Sequence, residues 1–458
     1  MQVPRVCIAA AKSGSGKTLI TCGLLELLKK HKYNVGAFKC GPDFIDPMFH
    51  SKVLGIQTTN LDTFFTDTDM TNDLLLEHGM GKDICVLEGV MGFYDGIGAV
   101  TTKASTYEVA RITKTPAILV IDMQGMSLSA AALVKGFCEF QKDHTISGIL
   151  LNRISAMLYP RMKEMLEMYT SLPVIGYLPK IEDIQLQSRH LGLLMPDEIA
   201  DFKEKIKKIA DIMETTIDLN GLFQIAERAE EIVFKKDNRM EKKKQKADLV
   251  HLAVAKDEAF CFIYEDNIRY LEKMGAKITY FSPIRDKELP KDTHGLILYG
   301  GYPELYAKQL SENVTMKASV LKAIKETRIP VIAECGGFLY LTKTLTDEDA
   351  VTYPMTGLLP AVSWKEKRLK RFGYITLTGE AFGCKLKNIK AHEFHYYETD
   401  ENGTSFTAQK AYGDRDWECI HANERSMIGF PHCYYYGNPD LPNSFLKACK
   451  TYRKSLEE

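Results

Sequence analysis

The sequence predicts two successive α/β domains, residues 1–236 and 248–458, joined by a charged linker at 237–247. Three observations carry this. Short apolar runs recur at intervals long enough for crossover helices, a glycine-containing loop lies between the first run and an apolar helix, and the same pattern restarts after a densely charged stretch. The length, 458 residues, suits two or three domains at roughly 150 residues each.

Taken in order, Val6 to Ala11 reads as a buried strand, a glycine turn follows, and TLITCGLLELLKK has the apolar positions of a buried helix. Further runs at Ile84–Leu87, Ala117–Ile121, Ile146–Leu151 and Val174–Leu178 predict a mainly parallel sheet covered on both faces. From Ala226 the chain becomes AERAEEIVFKKDNRMEKKKQKAD, which reads as a solvated linker. Strand-like runs then resume at Val250–Ala255, KITYF, GLILYGG and PVIAECGG, with a helix through Tyr270 to Met274. Beyond Cys335 aromatic residues and turns dominate, and apolar spacing sets no topology.

Composition narrows the function. Hydrophobic residues make up 45% and charged residues 26%, values of a folded globular chain. Lys plus Arg total 59 against 60 Asp plus Glu, so no bulk charge draws the chain to nucleic acid or anionic membrane. The amino terminus lacks a signal-peptide core, and no apolar run approaches the roughly 20 residues of a membrane span; the expected location is the cytoplasm. Eleven cysteines form no CxxC pair, which disfavours zinc and disulfide frameworks.

AKSGSGKT, residues 11–18, fits the phosphate-loop pattern except that Ala11 replaces the first glycine. Gly14 and Gly16 allow backbone N–H groups to face a phosphate, Lys17 supplies charge, and Thr18 offers a magnesium ligand. A Gly/Ser turn before a helix is the bland alternative. Lys12 resembles the extra lysine of dimeric partition and nitrogenase-reductase ATPases, or is simply an exposed loop residue.

Asp43 and Asp46 lie in KCGPDFIDP, while Glu88 ends an apolar strand in ICVLEGVMGFYDG and Asp95 follows in the next loop. Carboxylates at carboxyl-terminal strand ends of an open sheet can hold magnesium against nucleotide phosphates; capping and turn formation are the competing roles. In IPVIAECGGFLYL, Cys335 occupies the strand-to-helix turn that presents a nucleophile, with helix N-terminal amides favouring the thiolate. His432 in GFPHCYYYGNP is a candidate base. Gly300 and Gly301 in LYGGYPE offer N–H groups to an oxyanion or form a plain turn. His392 and His395 in HEFHYYE lack further partners at zinc-like spacing and read as a structural or substrate-facing segment.

The ordered motifs SGSGKT, KCGPDFIDP, LEGVMGFYDG, ILVIDMQGMSLSAAALVKG, GILLNR, RHLGL, YGGYPE, AECGGFLYL and HEFHYYE closely resemble the cobyrinate a,c-diamide synthase family of glutamine-dependent amidotransferases. That resemblance implies a P-loop, dethiobiotin-synthetase-like domain followed by a class I glutamine amidotransferase domain. It implies ATP-dependent amidation of the a and c carboxylates of cobyrinate in cobalamin biosynthesis. Glutamine or ammonia supplies nitrogen, and the reaction runs through a phosphorylated carboxylate with Mg2+. It further implies that Cys335 is the nucleophile and His432 its activator. Lys12, Ser13, Gly14, Gly16, Lys17, Thr18 and Asn152 would bind nucleotide, with Asn152 reading adenine. Thr18, Asp43 and Glu88 would hold metal, and Asp43, Phe44, Asp46 and Asp95 substrate. Phe44 replaces a tyrosine common in the family, and Ala391 a glycine. Two alternatives stay open: nickel sirohydrochlorin of the coenzyme F430 pathway as the tetrapyrrole, or a P-loop switch ATPase. No nucleic-acid or membrane partner is expected, and homodimerisation is left open.

Overall fold

A computed structural model describes residues 2–181, 200–233 and 249–457 in two compact units, Met1–Lys236 and Asp237–Glu458. The RHLGL motif and the 237–247 linker lie outside the described residues. Among the described residues no helix is long and apolar enough to cross a membrane.

The first unit is built on strands β1 (Arg5–Ala10), β2 (Val35–Cys40), β3 (Thr58–Leu61), β4 (Ile84–Glu88), β5 (Ala117–Asp122), β6 (Ile146–Asn152) and β7 (Val174–Leu178). Among the described residues they form one seven-stranded sheet in the order β3-β2-β4-β1-β5-β6-β7, every neighbouring pair parallel. All six residues of β1 are buried, as expected where helices cover both faces and apolar residues need not alternate with polar ones. Helix α1 (Lys17–Lys30) follows the β1 loop and packs Ile20, Leu24 and Leu28 into a core shared with Ile206, Ile209 and Met213 of the helix Ala200–Thr216. Gly23 makes that approach feasible, because a Cβ there would lie 2.5 Å from Ile209 Cγ2 and 2.8 Å from Met213 Sδ.

Strand β3 escapes the apolar pattern because its sequence, TTNL, is polar although buried throughout. Its Asn60 amide donates to Gly41 O at 2.9 Å and Asp43 O at 2.8 Å, fixing the KCGPDF loop by backbone contacts. The sheet thus sets the ends of β1, β2 and β4 side by side, with Lys39 in register with Glu88.

The second unit has strands β8 (Val250–Ala255), β9 (Ala276–Phe281), β10 (Gly295–Leu298) and β11 (Val331–Glu334). With Ser426–Gly429 and His421–Ala422 they form a six-stranded sheet among the described residues, parallel except for the terminal His421–Ala422 strand. The helix predicted through Tyr270 to Met274 runs instead from Glu265 to Lys273. The segment beyond Cys335 supplies the Ser426–Gly429 and His421–Ala422 strands and, among the described residues, two further sheets. The long antiparallel pair Phe372–Ala381 and Cys384–Phe394 belongs to one of them. Its edge aligns His392 with His432, bringing a late histidine toward the end of β11.

Candidate active site

In the first unit the phosphate loop joins β1 to α1. Gly14 and Gly16 take left-handed conformations, φ 76° and 93°, which a side chain would resist. The loop is braced from β6: Asn152 Nδ2 donates to Ser15 O at 2.8 Å, and Arg153 donates to Gly14 O at 3.2 Å while paired with Asp122 at 2.7 Å. Asn152 is therefore packed beneath the loop. Lys12 and Ser13 are exposed, and the Lys12 carbonyl accepts the Ser15 hydroxyl.

Below the loop lies a buried charge cluster. Thr18 Oγ1 donates to Glu88 Oε1 at 2.6 Å, and Lys39 Nζ reaches the same oxygen at 3.0 Å while also pairing with Asp46. Asp43 Oδ2 stands 4.0 Å from Lys39 Nζ, and His50 Nε2 is 3.3 Å from Glu88 Oε2. Burial opposes the charge on Lys39, yet Asp46, Glu88 and Asp43 hold its ammonium well above its ordinary value. Burial likewise works against Glu88, but Lys39, His50 and Thr18 keep that carboxyl well below the carboxylate range. Burial and the Glu88 charge push Asp46 upward. Lys17 Nζ donates to the carbonyl of Met91, and burial with repulsion from Lys39 lowers it to about 8.

Of the predicted metal- and substrate-binding residues, Glu88, Asp46 and Phe44 are buried. Asp43 is the more accessible, with Oδ1 accepting from Ile45 N. Asp95 is exposed and its Oδ2 accepts from Gly92 N at 2.9 Å. Gly92 also touches the phosphate loop: a Cβ there would fall 2.9 Å from Ala11 O. Lys39 and His50 were missed by motif reading. Lys39 could have been found as the one charged residue in the buried strand VGAFKC, whereas His50 carries no such signal.

The oxygen chemistry here fits magnesium. A threonine hydroxyl and a carboxylate share one spot at the phosphate loop, and the second Glu88 oxygen, Oε2, lies 3.3 Å from His50 Nε2; hard oxygen donors of this kind suit Mg2+ alongside nucleotide phosphates. Among the described residues no cluster of three or more His, Cys, Asp or Glu side chains forms a self-sufficient metal site.

In the second unit Cys335 has φ 46° and ψ −103°, a strained turn between β11 and the helix Gly336–Leu341. The strain is held in place by Cys335 N donating to Gly429 O at 2.8 Å and Leu339 N to Cys335 O at 3.0 Å. Gly300 brings the predicted partners together. A Cβ at Gly300 would lie 2.5 Å from His432 Cε1, 3.4 Å from His432 Nε2 and 3.3 Å from Cys335 Cβ, so glycine leaves room between nucleophile and base. The Gly300 carbonyl accepts from Phe262 N at 3.0 Å, and Gly301 N is 3.0 Å from where a Gly336 Cβ would stand.

The expected contribution of the helix amides is present, the Gly336 amide favouring the Cys335 anion. Burial and the Glu304 charge hold the thiol well above its ordinary value, with the Gly336 amide only opposing them. Desolvation of the buried sulfur outweighs what the Gly336 amide gives its anion. A neighbouring base is needed. The two histidines of HEFHYYE separate: the His392 ring stacks on His432 at 5.1 Å, while His395 stacks on Phe430 at 3.8 Å.

A phosphate-loop unit carrying a buried carboxylate at its strand ends, followed by a unit with a cysteine elbow beside a histidine, defines an amidating ligase that hydrolyses glutamine and binds ATP. Residues 6–194 match the CobQ/CobB/MinD/ParA nucleotide binding domain, and residues 251–430 the CobB/CobQ-like glutamine amidotransferase domain. A cobyrinate a,c-diamide synthase from Listeria innocua is 37% identical over 95% of this chain and 97% of its own. One from Thermoplasma volcanium is 36% identical over the full length of both, and one from Caldanaerobacter subterraneus 36% over 97% and 98%. The chain belongs to the cobyrinate a,c-diamide synthase family.

Proposed function

We propose that this protein amidates the a and c carboxylates of cobyrinate, using ATP and nitrogen from glutamine or free ammonia, within cobalamin biosynthesis. The observation that carries the chemistry is the pairing of Cys335 with His432 across Gly300 in a chain that also holds Lys17, Thr18 and Glu88 at a phosphate loop. The names of the full-length relatives support the substrate.

A carboxylate is a poor electrophile, so a substrate carboxylate oxygen attacks the γ-phosphorus of ATP, the bond to the β-phosphate oxygen breaks, and ADP leaves. Lys17 neutralises charge on the transferred phosphoryl group. Thr18 and Glu88, with Asp43 nearby, would hold Mg2+, which neutralises phosphate charge when bound. Ammonia attacks the resulting acyl carbon, the amide forms and phosphate departs. In the second unit His432 takes the Cys335 proton as sulfur attacks the glutamine side-chain carbonyl, then returns a proton as ammonia leaves. Water resolves the thioester to glutamate. In this reading the accessible Asp43 and Asp95 face the tetrapyrrole, while buried Asp46 and Phe44 shape the loop that carries Asp43.

Purified protein supplied with ATP, magnesium and each tetrapyrrole in turn is assayed by product mass. Cys335→Ala should lose glutamine-dependent amidation and keep ammonia-dependent amidation; Lys17→Ala should lose both. Diamide formed only from nickel sirohydrochlorin would overturn the cobyrinate assignment. Loss of ammonia-dependent synthesis in Cys335→Ala would overturn the division of labour.

A further inference from the structure

The second unit buries an acid that the mechanism above does not use. Glu334 is the last residue of β11, directly before the nucleophile, and is only 4% exposed. Its Oε2 lies 3.6 Å from His432 Nδ1, and its Oε1 accepts from the backbone N–H of Cys433 at 3.3 Å. One carboxylate thus faces the ring of residue 432 and bonds the chain just after it.

We propose that Glu334 is the positioning residue for His432, engaging Nδ1 so that Nε2 is left to move the proton of Cys335. The ring geometry supports this division. The Nδ1 edge faces Glu334, whereas Nε2 and Cε1 are the atoms nearest to Gly300, the glycine that also abuts Cys335 Cβ. A carboxylate on one imidazole nitrogen fixes the tautomer and orients the other nitrogen. Because β11 leads directly into the elbow, the strand that aims the nucleophile also aims its base. The inference rests on the Cys335–His432 reading and adds a third member to it.

The surroundings favour Glu334 over other candidates. His392 stacks on His432 at 5.1 Å from the neighbouring strand, with Tyr264 Oη 3.4 Å from its Nδ1. Burial and the proximity of His432 hold its imidazole well below the ordinary value, so it packs against the base as a neutral ring. Phe262 contributes only an apolar ring 6.4 Å away. Glu304 and Glu393 act on the Cys335 thiol, and Glu393 is engaged by His395 at 3.1 Å. Glu334 is an acid that faces the His432 ring directly. Burying an acid without a full cationic partner costs stability, a cost that a positioning role would offset.

Glu334→Gln keeps the shape and an acceptor for Cys433 N–H but removes the charge. Its glutaminase kcat should fall about 100-fold, the lower range for lost acid–base catalysis, with KM for glutamine within about twofold because no substrate contact is lost. Ammonia-dependent amidation should stay at the wild-type rate. Glu334→Asp, retaining the charge, should recover at least about a tenth of wild-type kcat, a deficit of one pKa-unit equivalent. In a His432→Ala background Glu334→Gln should cost nothing further, since residues acting as one unit are non-additive. A Glu334→Gln kcat within about threefold of wild type, or a full additive loss on His432→Ala, overturns the proposal. If Glu334→Gln fails to fold, Glu334→Asp decides on the same double-variant comparison. Full glutaminase activity in Cys335→Ala or His432→Ala would instead overturn the underlying reading of the site.

Discussion

At the scale of single residues, Gly16 shows how narrowly the phosphate loop is fitted. Its φ of 93° is left-handed, and a Cβ would stand 2.2 Å from Asn152 Nδ2, the atom bracing Ser15. Gly16→Ala should abolish ATP-dependent amidation with either nitrogen source while glutamine hydrolysis in the second unit continues, as read by glutamate release. Lys17 adds a pH dependence. With burial and Lys39 lowering it to about 8, a growing share of the nucleotide-free protein carries a neutral Lys17 as pH rises through that value. Phosphate binding favours the charged form, so ATP binding near pH 8 should take up protons. Above that pH, apparent affinity should fall by up to about tenfold per unit. Titration calorimetry in buffers of different ionisation enthalpy measures the uptake, and none at pH 8 would contradict the assignment. The motif predicted Lys17 but not its environment, because Lys39 becomes its neighbour only when β2 lies beside β4.

At the scale of elements, the parallel strands around β1, β4, β5, β6 and β7 were legible because each reads as an apolar run. Two kinds of element were not. The TTNL strand is polar, and its burial comes from bonding the KCGPDF loop rather than from apolar content. The antiparallel segments beyond Cys335 mix exposed and buried residues in short pieces, so neither a helical nor a strand period dominates. Strand β1 hides a further feature. Arg5 is 0% exposed and donates to Val3 O, Thr113 O, Thr115 Oγ1 and Glu230 O, tying β1 to the turn before β5 and to the chain after residue 227. Burial lowers its guanidinium to about 10. Arg5→Leu leaves several buried acceptors unmatched and should destabilise the first unit by about 3 kcal/mol or more, measurable by urea unfolding; a change below about 1 kcal/mol, the value of a single ordinary hydrogen bond, would show the network to be dispensable. Glu334 is the corresponding omission in the second unit. An ionisable residue closing an apolar strand is the signal that singled out Glu88, and it applies equally to VIAE.

At the scale of the molecule, the two units have separate apolar cores, one around α1 and the helix Ala200–Thr216, the other around β10, β11 and the Cys335 helix. Separate cores predict two thermal transitions. ATP at about 100 times its dissociation constant adds about 2.7 kcal/mol to whatever binds it, so ATP should raise one transition and leave the other in place. A single transition moved as a whole by ATP would contradict that expectation. The near-zero net charge conceals how unevenly charge is spent, since Lys17 and Lys39 sit buried together while their compensating acids are drawn in beside them.

The buried, proton-retaining state of Cys335 bears on durability in air. Peroxide and mild thiol reagents react with accessible thiolates, and this sulfur is neither accessible, at 6% exposed for its residue, nor held as the anion. None of the eleven cysteines forms a disulfide, and each is buried or half-buried. A chain so rich in thiols, yet so sparing in their display, should resist oxidative inactivation until glutamine enters and the elbow is called on to react.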